Sequence, residues 1–346
     1  MPQRIVLIKP CCIGDVVLAT ATLAALRRGY PDAHITWAVG SWSKQAIENH
    51  PMLDTIIDTG DRANPAKNPL KLARQLQGYD LVVSLVRSPL MSIAALLSRA
   101  PRRAGLNSEW RGFGYNIRAN IDPKEARHEA DIYLDVPRAL GLDVSGCYAN
   151  VPVQPDVLNM LMLDLPPRAI VINPCGGNNP GMTMDIKRWL PQNFAALGNR
   201  LKTDLNAEII LIGGPKDGEI IQAVQAHLDT PAQTFIGVLS FAQIAALANY
   251  AQLYIGNDTG LTHLAAAADA RTVMLLGPSD PVRYAPFTPN SLALWKPATL
   301  KSGGVANGTP ENWSWERDGI SVDEAYIQIT DYLSSGFAKP SVTSRL

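Results

Sequence analysis

The sequence predicts an α/β protein of two units, each built on a doubly wound parallel sheet, with the units facing one another across a cleft. Two observations carry this reading. Short apolar, β-branched runs alternate with helix-length segments through most of the chain, which is the signature of strand–helix–strand crossovers. That alternation lapses after residue 107 and restarts at residue 169 with the same order of elements. A length of 346 residues accommodates two such units.

Residues 4–9 (RIVLIK) read as a central strand, and the loop 10–15 (PCCIGD) leads into a helix over 16–28 that ends on Arg27 and Arg28. Strands are expected at 35–39, 55–58, 81–86 and 103–106. Helices are expected at 41–48, capped by Ser41, at 69–77, and at 89–98, opened by Pro89. Residues 107–123 read as a loop, and a helix over 129–140 closes the first unit. The prolines of 151–167 mark a linker.

In the second unit a strand at 169–173 precedes a long Gly/Asn/Thr loop, 174–187, and a helix at 189–201. A strand at 208–212, a Gly213-Gly214-Pro215 turn, a helix at 217–228, a short strand at 234–237 and a helix at 241–248 follow. Residues 253–255 form a strand, a helix opens near Gly260, and 271–276 form another strand. Residues 287–317 predict no element, and a last helix covers 322–333. The expected boundaries are 1–155 for the first Rossmann-like unit, 165–320 for the second, and 321–346 for a C-terminal helix and tail.

Composition excludes several classes. Lys plus Arg equals Asp plus Glu at 31 each, so bulk charge gives no support for nucleic-acid binding. Four cysteines without zinc-type spacing point to a reducing compartment rather than a disulfide framework. No signal-peptide pattern precedes the first strand, and the apolar runs are shorter than the ~20 residues of a membrane span. A cytoplasmic protein is expected, with peripheral contact at the inner face of a membrane left open. Neither unit has G-x-G-x-x-G after its first strand, no Walker A sequence occurs, and no His/Asp/Glu cluster has metal spacing, so no cofactor or metal is expected.

The candidate chemistry lies where strands give way to helices. Asn257-Asp258-Thr259-Gly260 leads into an Ala-rich helix, with Asp258 or Thr259 as N-cap and His263 one turn after Thr259. The free amides and dipole of such a helix start suit a diphosphate, although capping alone also accounts for Asp-Thr-Gly. Loop 175–189 (CGGNNPGMTMDIKRW) offers Thr183 as a hydroxyl and Lys187 as a point charge. Glu219, near a helix start, either complements the dipole or holds a ribose hydroxyl. Asp15, on a glycine turn, is either a helix cap or a carboxylate placed to accept a proton from an incoming hydroxyl. Arg99, Arg102, Arg103, Arg111 and Arg118 share twenty residues with one acid, Glu109, and three aromatics, either a solvated face or a site for an anionic, lipid-linked acceptor. The cysteines read as small loop residues.

Three segments carry a resemblance. RIVLIKPCCIGDVVLATATLAALRRGYPDAHITWAVG resembles the N-terminal signature of glycosyltransferase family 9, the heptosyltransferase family. IGNDTGLTHLAAAADARTVMLLGPSDPVRYAP resembles its second signature, and the loop ending IKRW a third block. The resemblance implies a GT-B fold, a nucleotide-sugar donor (ADP-heptose), a glycan or glycolipid acceptor of lipopolysaccharide type, and inverting, metal-independent transfer. By the same resemblance Asp15 is the general base, Thr183 and Lys187 contact the donor phosphates, and Asp258 contacts the donor sugar. Thr259 and Gly260 form the diphosphate turn, His263 is the helix histidine of that motif, and Glu219 is the acid near the ribose. On the acceptor side the expected residues are Arg102, Arg103 and Arg111. The segment KSGGVANGTPENWSWERDG departs from the family pattern. A nucleotide-sugar epimerase and a non-catalytic nucleotide-sugar binder are the alternatives.

Overall fold

The computed structural model describes residues 1–60, 68–154, 156–159, 165–179, 182–296 and 313–335. The first sheet comprises β1 (Arg4–Ile8), β2 (His34–Val39), β3 (Thr55–Asp58), β4 (Leu81–Ser84), β5 (Arg102–Ser108) and β6 (Ile117–Ile121). Its order is β3-β2-β1-β4-β5-β6, and every neighbouring pair is parallel. After β7 (Ala169–Asn173) comes a two-stranded hairpin, β8 (Asn178–Asn179) and β9 (Met182–Thr183). Then β10 (Glu208–Gly213), β11 (Gln233–Ile236), β12 (Leu253–Asn257), β13 (Thr272–Leu275) and β14 (Ser291–Leu294) complete a second parallel sheet, ordered β11-β10-β7-β12-β13-β14.

Both sheets therefore repeat one connection pattern, with the first strand third in line. The strand order reverses beside β1 and beside β7, which opens the crevice where doubly wound sheets bind ligands. β7 and β12, central and covered on both faces, are buried along their whole length, as their uninterrupted apolar runs require.

Several predicted features change, among them the 174–187 loop, which holds the β8–β9 hairpin. The 107–123 loop contains β6, and the unassigned stretch after 287 contains β14; each is the sixth strand of its sheet. Ser41 does not cap a helix, because its hydroxyl donates to Asp58 Oδ1 at 2.6 Å, and only a 3-10 turn, Lys44–Ala46, forms behind it. The last helix, Val322–Ser334, belongs to the core of the second half through Ala325, Ile329 and Tyr332.

The halves meet through helices Ile13–Gly29 and Gly260–Ala267, which follow β1 and β12. Both are rich in Ala, Thr and Gly at their starts, and small side chains let the backbones approach. A Cβ added to Gly260 would stand 2.6 Å from Cβ of Ile13, and one on Gly14 would stand 3.0 Å from Cδ2 of His263. One hydrophobic cluster runs across the seam, from Ile5, Val16 and Leu23 to Ala248, Leu264 and Ala267. Among the described residues, no helix is long and apolar enough to cross a membrane.

Candidate active site

Two lysine–carboxylate pairs face the seam, one from each half. Asp15 occupies the third position of helix Ile13–Gly29, where its Oδ2 accepts from the Cys12 amide at 3.3 Å. The residue does act on the helix start, but as the reaching-back member of a capping box rather than as the N-cap. Lys9, one residue beyond β1, brings its ammonium to 3.3 Å from Asp15 Oδ2, and the Tyr133 hydroxyl donates to Oδ1 at 2.8 Å. Enclosure works to raise the Asp15 pKa, but Lys9, Tyr133 and the Cys12 amide outweigh it and hold the carboxyl below its ordinary range. Both oxygens are engaged, yet the side chain keeps 35% exposure, so the ionised carboxylate is not sealed from what enters the cleft.

Across the seam Lys187 Nζ lies 2.6 Å from Asp258 Oδ2, which also accepts from the Ser279 hydroxyl at 2.6 Å. Burial raises the Asp258 pKa, while Lys187, His263 and the two hydrogen bonds lower it further, so this carboxylate too is ionised. Thr259, not Asp258, is the N-cap of helix Gly260–Ala267. The Thr262 amide reaches back to the Thr259 carbonyl at 3.1 Å, which leaves the amides of Gly260 and Leu261 ahead of the first helical hydrogen bond, directly after Asp258.

Asn257, at the end of β12, fixes the loop that carries Lys187. Its Oδ1 accepts from the Trp189 amide at 2.9 Å, and its Nδ2 donates to the carbonyls of Pro174 and Cys175 at 2.8 and 3.2 Å. Trp189 anchors the other side of the loop: the indole is buried and donates to the Ile320 carbonyl at 3.0 Å. Gly176 and Gly177, at φ +110° and +77°, allow the chain to turn back here. Thr183 sits on β9, and its side chain lies outside the described residues.

His263 stands between the two pairs. It is buried against Gly14, its Nδ1 has no hydrogen-bond partner, and its pKa is pushed down to about 4, mainly by burial. Gly260 makes room chiefly for Ile13 of the other half rather than for a ligand. Glu219 is exposed in the first turn of helix Gly218–Gln225, after β10 and two strands from β12, so it shares the carboxyl edge of the second sheet but not the seam.

The predicted arginines separate. Arg111 follows β5 at its carboxyl end, exposed beside the near-parallel rings of Trp110 and Phe113. Arg102 and Arg103 begin β5, level with Leu81 and Val82 of β4 and hence with Ile5 and Val6 of β1, at the opposite edge of the sheet from Asp15. Arg103 is also committed locally, donating to the carbonyls of Gly114 and Ala100. The structure does not bring Arg102 and Arg103 to the site.

Several groups here escaped the sequence reading. Lys9, Ser279, Arg283 and Tyr284 lie inside the two long segments that carry the resemblance without being singled out there. Tyr133, Arg87 and Glu129 arrive from distant segments with no local pattern. The Tyr284 ring lies 5.8 Å from Lys187 Nζ, and the Tyr284 hydroxyl is held above its ordinary pKa by burial and by the nearby charges of Asp15 and Asp258. Among the described residues no group of three or more His, Cys, Asp or Glu side chains is arranged to hold a metal ion.

Known proteins share the two-sheet architecture that carries these residues. The model of glycosyltransferase family 9 (heptosyltransferase) matches residues 70–308. Lipopolysaccharide heptosyltransferase 3 of Escherichia coli is 23% identical over 300 residues, covering 82% of this chain and 86% of its own. Lipopolysaccharide heptosyltransferase 2 of Escherichia coli K12 is 26% identical over 306 residues, covering 83% and 85%. Among solved structures, a family 9 glycosyl transferase from Veillonella parvula superposes with a TM-score of 0.81 at 24% identity, covering 96% of this chain and 98% of its own. The E. coli ADP-heptose heptosyltransferase II does so with a TM-score of 0.73 at 20% identity and the same coverage. The shared two-sheet architecture is the GT-B fold. With the family match spanning well over half of its length, the chain belongs to glycosyltransferase family 9, the heptosyltransferase family.

Proposed function

We propose that this glycosyltransferase moves a heptose from ADP-heptose, held by the second half, to a hydroxyl of a lipopolysaccharide-type glycan presented to the first half. The observation that carries the reading is the pair of opposed lysine–carboxylate sites, one carboxylate open and one closed. Asp15 is the general base: its carboxylate accepts the proton of the acceptor hydroxyl as that oxygen attacks the anomeric carbon. Attack from one face while the diphosphate leaves from the other is a single displacement, so the anomeric configuration inverts. Lys187 and the amides opening helix Gly260–Ala267 receive the negative charge that develops on the leaving diphosphate. Asp258 orients Lys187 and, with Thr183, Thr259 and His263, lines the donor site; Glu219 meets the nucleoside ribose. These groups supply the charge stabilisation without a metal. Arg111, with Trp110 and Phe113, forms the acceptor side. A lipid-linked acceptor would bring the enzyme to the inner face of the membrane. The lipopolysaccharide heptosyltransferases among its relatives support donor and acceptor class.

The test is incubation with radiolabelled ADP-heptose and other nucleotide sugars, with and without heptose-deficient lipopolysaccharide, in the presence of EDTA. Label entering the glycan with inverted anomeric configuration is the expected result. An isomerised donor without acceptor identifies an epimerase, and binding without product a non-catalytic binder.

A further inference from the structure

A second set of charges crosses the seam beside Asp15, and the proposed transfer leaves it unassigned. Glu129, buried at the start of helix Glu129–Ala139 in the first half, pairs through Oε1 with Arg87 of the same half. Through Oε2 it accepts from Arg283 Nη2 of the second half at 3.0 Å. Arg283 is buried as well, and its Nε has no partner. Arg87 alone would neutralise Glu129, so the first half can fold around the carboxylate without help from the second. The additional arginine acts between the halves.

Its neighbours do the same. The His128 ring bonds the Ala285 carbonyl through Nε2 at 2.7 Å, while its Nδ1 accepts from the Ala130 amide, so the ring is neutral with its proton on Nε2. Phe287 lies between the rings of His128 and Tyr148, and its carbonyl accepts from the Ala149 amide at 3.0 Å. Segment 283–287 of the second half is therefore strapped to the first, and Tyr284 is part of that strap. The Tyr284 ring is flanked by the cations of Lys187 and Arg283 at 5.8 and 5.9 Å, and its hydroxyl feels both Asp15 and Asp258.

We propose that Glu129 and Arg283 are positioning residues for the transfer: their ion pair clasps the donor half to the acceptor half and fixes Tyr284 between Asp15 and the Lys187–Asp258 pair. The inference rests on the proposed transfer, because it matters only if base and donor belong to opposite halves. In-line attack requires the acceptor oxygen and the anomeric carbon to be held to within a fraction of an ångström, and that distance is set across the seam. The Gly14–Gly260 contact fixes one point of the seam. The clasp adds a charged fixed point beside Tyr284, next to the apolar seam and the His128–Ala285 and Ala149–Phe287 hydrogen bonds, and loosening it shifts segment 283–287 relative to Asp15.

The test is Arg283→Met, similar in length and uncharged, alongside Glu129→Gln and the double variant. A misplacement on the order of 1 Å lowers turnover by about 10²-fold. The expected result is a kcat loss of that order with donor affinity within about twofold of the parent, because the donor contacts lie in the second half. The double variant should be no slower than Glu129→Gln, which already breaks the Arg283 contact along with the one to Arg87. A merely structural pair would lower the melting temperature and donor affinity while leaving turnover per folded molecule unchanged, and that result overturns the proposal. So do single losses that multiply. Small-angle scattering with ADP bound needs no turnover: Arg283→Met should raise the radius of gyration over that of the parent. If the parent transfers nothing, the functional reading fails, and scattering still decides the clasp.

Discussion

Asp15 and Asp258 are built alike and differ in what reaches them. Each follows a central strand, lies at a helix start and pairs with a lysine. Asp15 is 35% exposed, with its lysine at 3.3 Å, whereas Asp258 is 6% exposed, with its lysine at 2.6 Å and a serine hydroxyl on the same oxygen. The first is reachable by something entering the cleft; the second is shielded by burial, with Lys187 and Ser279 both on Oδ2. On the proposed transfer that contrast gives the chemistry to one half and charge placement to the other, even though one connection pattern built both.

The strongest way to break that contrast is to neutralise the open carboxylate. Asp15→Asn preserves shape and still reaches the Cys12 amide, so the fold and donor affinity should hold, with only a small drop in melting temperature from the lost Lys9 pair, while kcat falls by ~10²–10⁴, the span of a positioned base. Turnover within a few-fold of the parent would reduce Asp15 to a helix cap. On the closed side Lys187→Ala should instead weaken ADP binding about tenfold or more, the loss of a charge-assisted contact of ~1.5–3 kcal/mol. Titration calorimetry showing unchanged affinity would remove Lys187 from the donor site.

Between the pairs, His263 ties stability to pH. Its folded pKa of about 4 lies below the ordinary 6.5, so between those values the unfolded chain holds a proton that the folded one refuses. Stability should therefore fall as pH drops from 6.5 towards 4. Asp15 and Asp258, with pKa values depressed below 3.8, contribute stability above that value that is lost only at lower pH. Melting curves should show the first loss in the parent and a shallower slope in His263→Gln; equal slopes would count against the assignment. The smallest effect separates the arginines. Arg111→Ala should raise the acceptor KM several-fold, about 1 kcal/mol for an exposed contact, and leave donor KM alone. Arg102→Ala, at the far edge, should change neither.

Much of this was legible in the chain because the buried strands carry their own signal. Runs such as RIVLI and AIVIN cannot be anything but covered strands once helices alternate with them, and the turn residues after them mark the ligand edge. The two missed strands share a cause. β6 (IRANI) alternates apolar with Arg and Asn because one face stays exposed at the sheet edge, and β14 (SLAL) is four residues long and mostly half-buried. Edge strands lack the continuous apolar run that identifies central ones. At the site, Asp15, Lys187 and Asp258 stood in recognisable turns. Tyr133 and Glu129 had no such mark, because their place depends on how helix Glu129–Ala139 packs on helix Ile13–Gly29, and that of Arg283 depends on how the two halves dock. Arg102 and Arg103 misled for the reverse reason. Nearness in sequence to Arg111 says nothing once a seven-residue strand carries the chain from one edge of the sheet to the other.

The hydrophobic cluster that runs across the seam limits how the protein can be taken apart. Helix Gly260–Ala267 packs on helix Ile13–Gly29 as well as on its own half, so a donor half expressed by itself would lose part of the cover over that helix. Chimeras that graft a donor half from one relative onto the acceptor half of another inherit the same condition. The exchanged block must bring a matching partner for Ile13 and Gly14, because a single added methyl group at Gly260 already exceeds the space there. Donor preference in such an enzyme is better re-engineered within the 175–189 loop, which Asn257 and Trp189 hold by its ends, than by recombining whole halves.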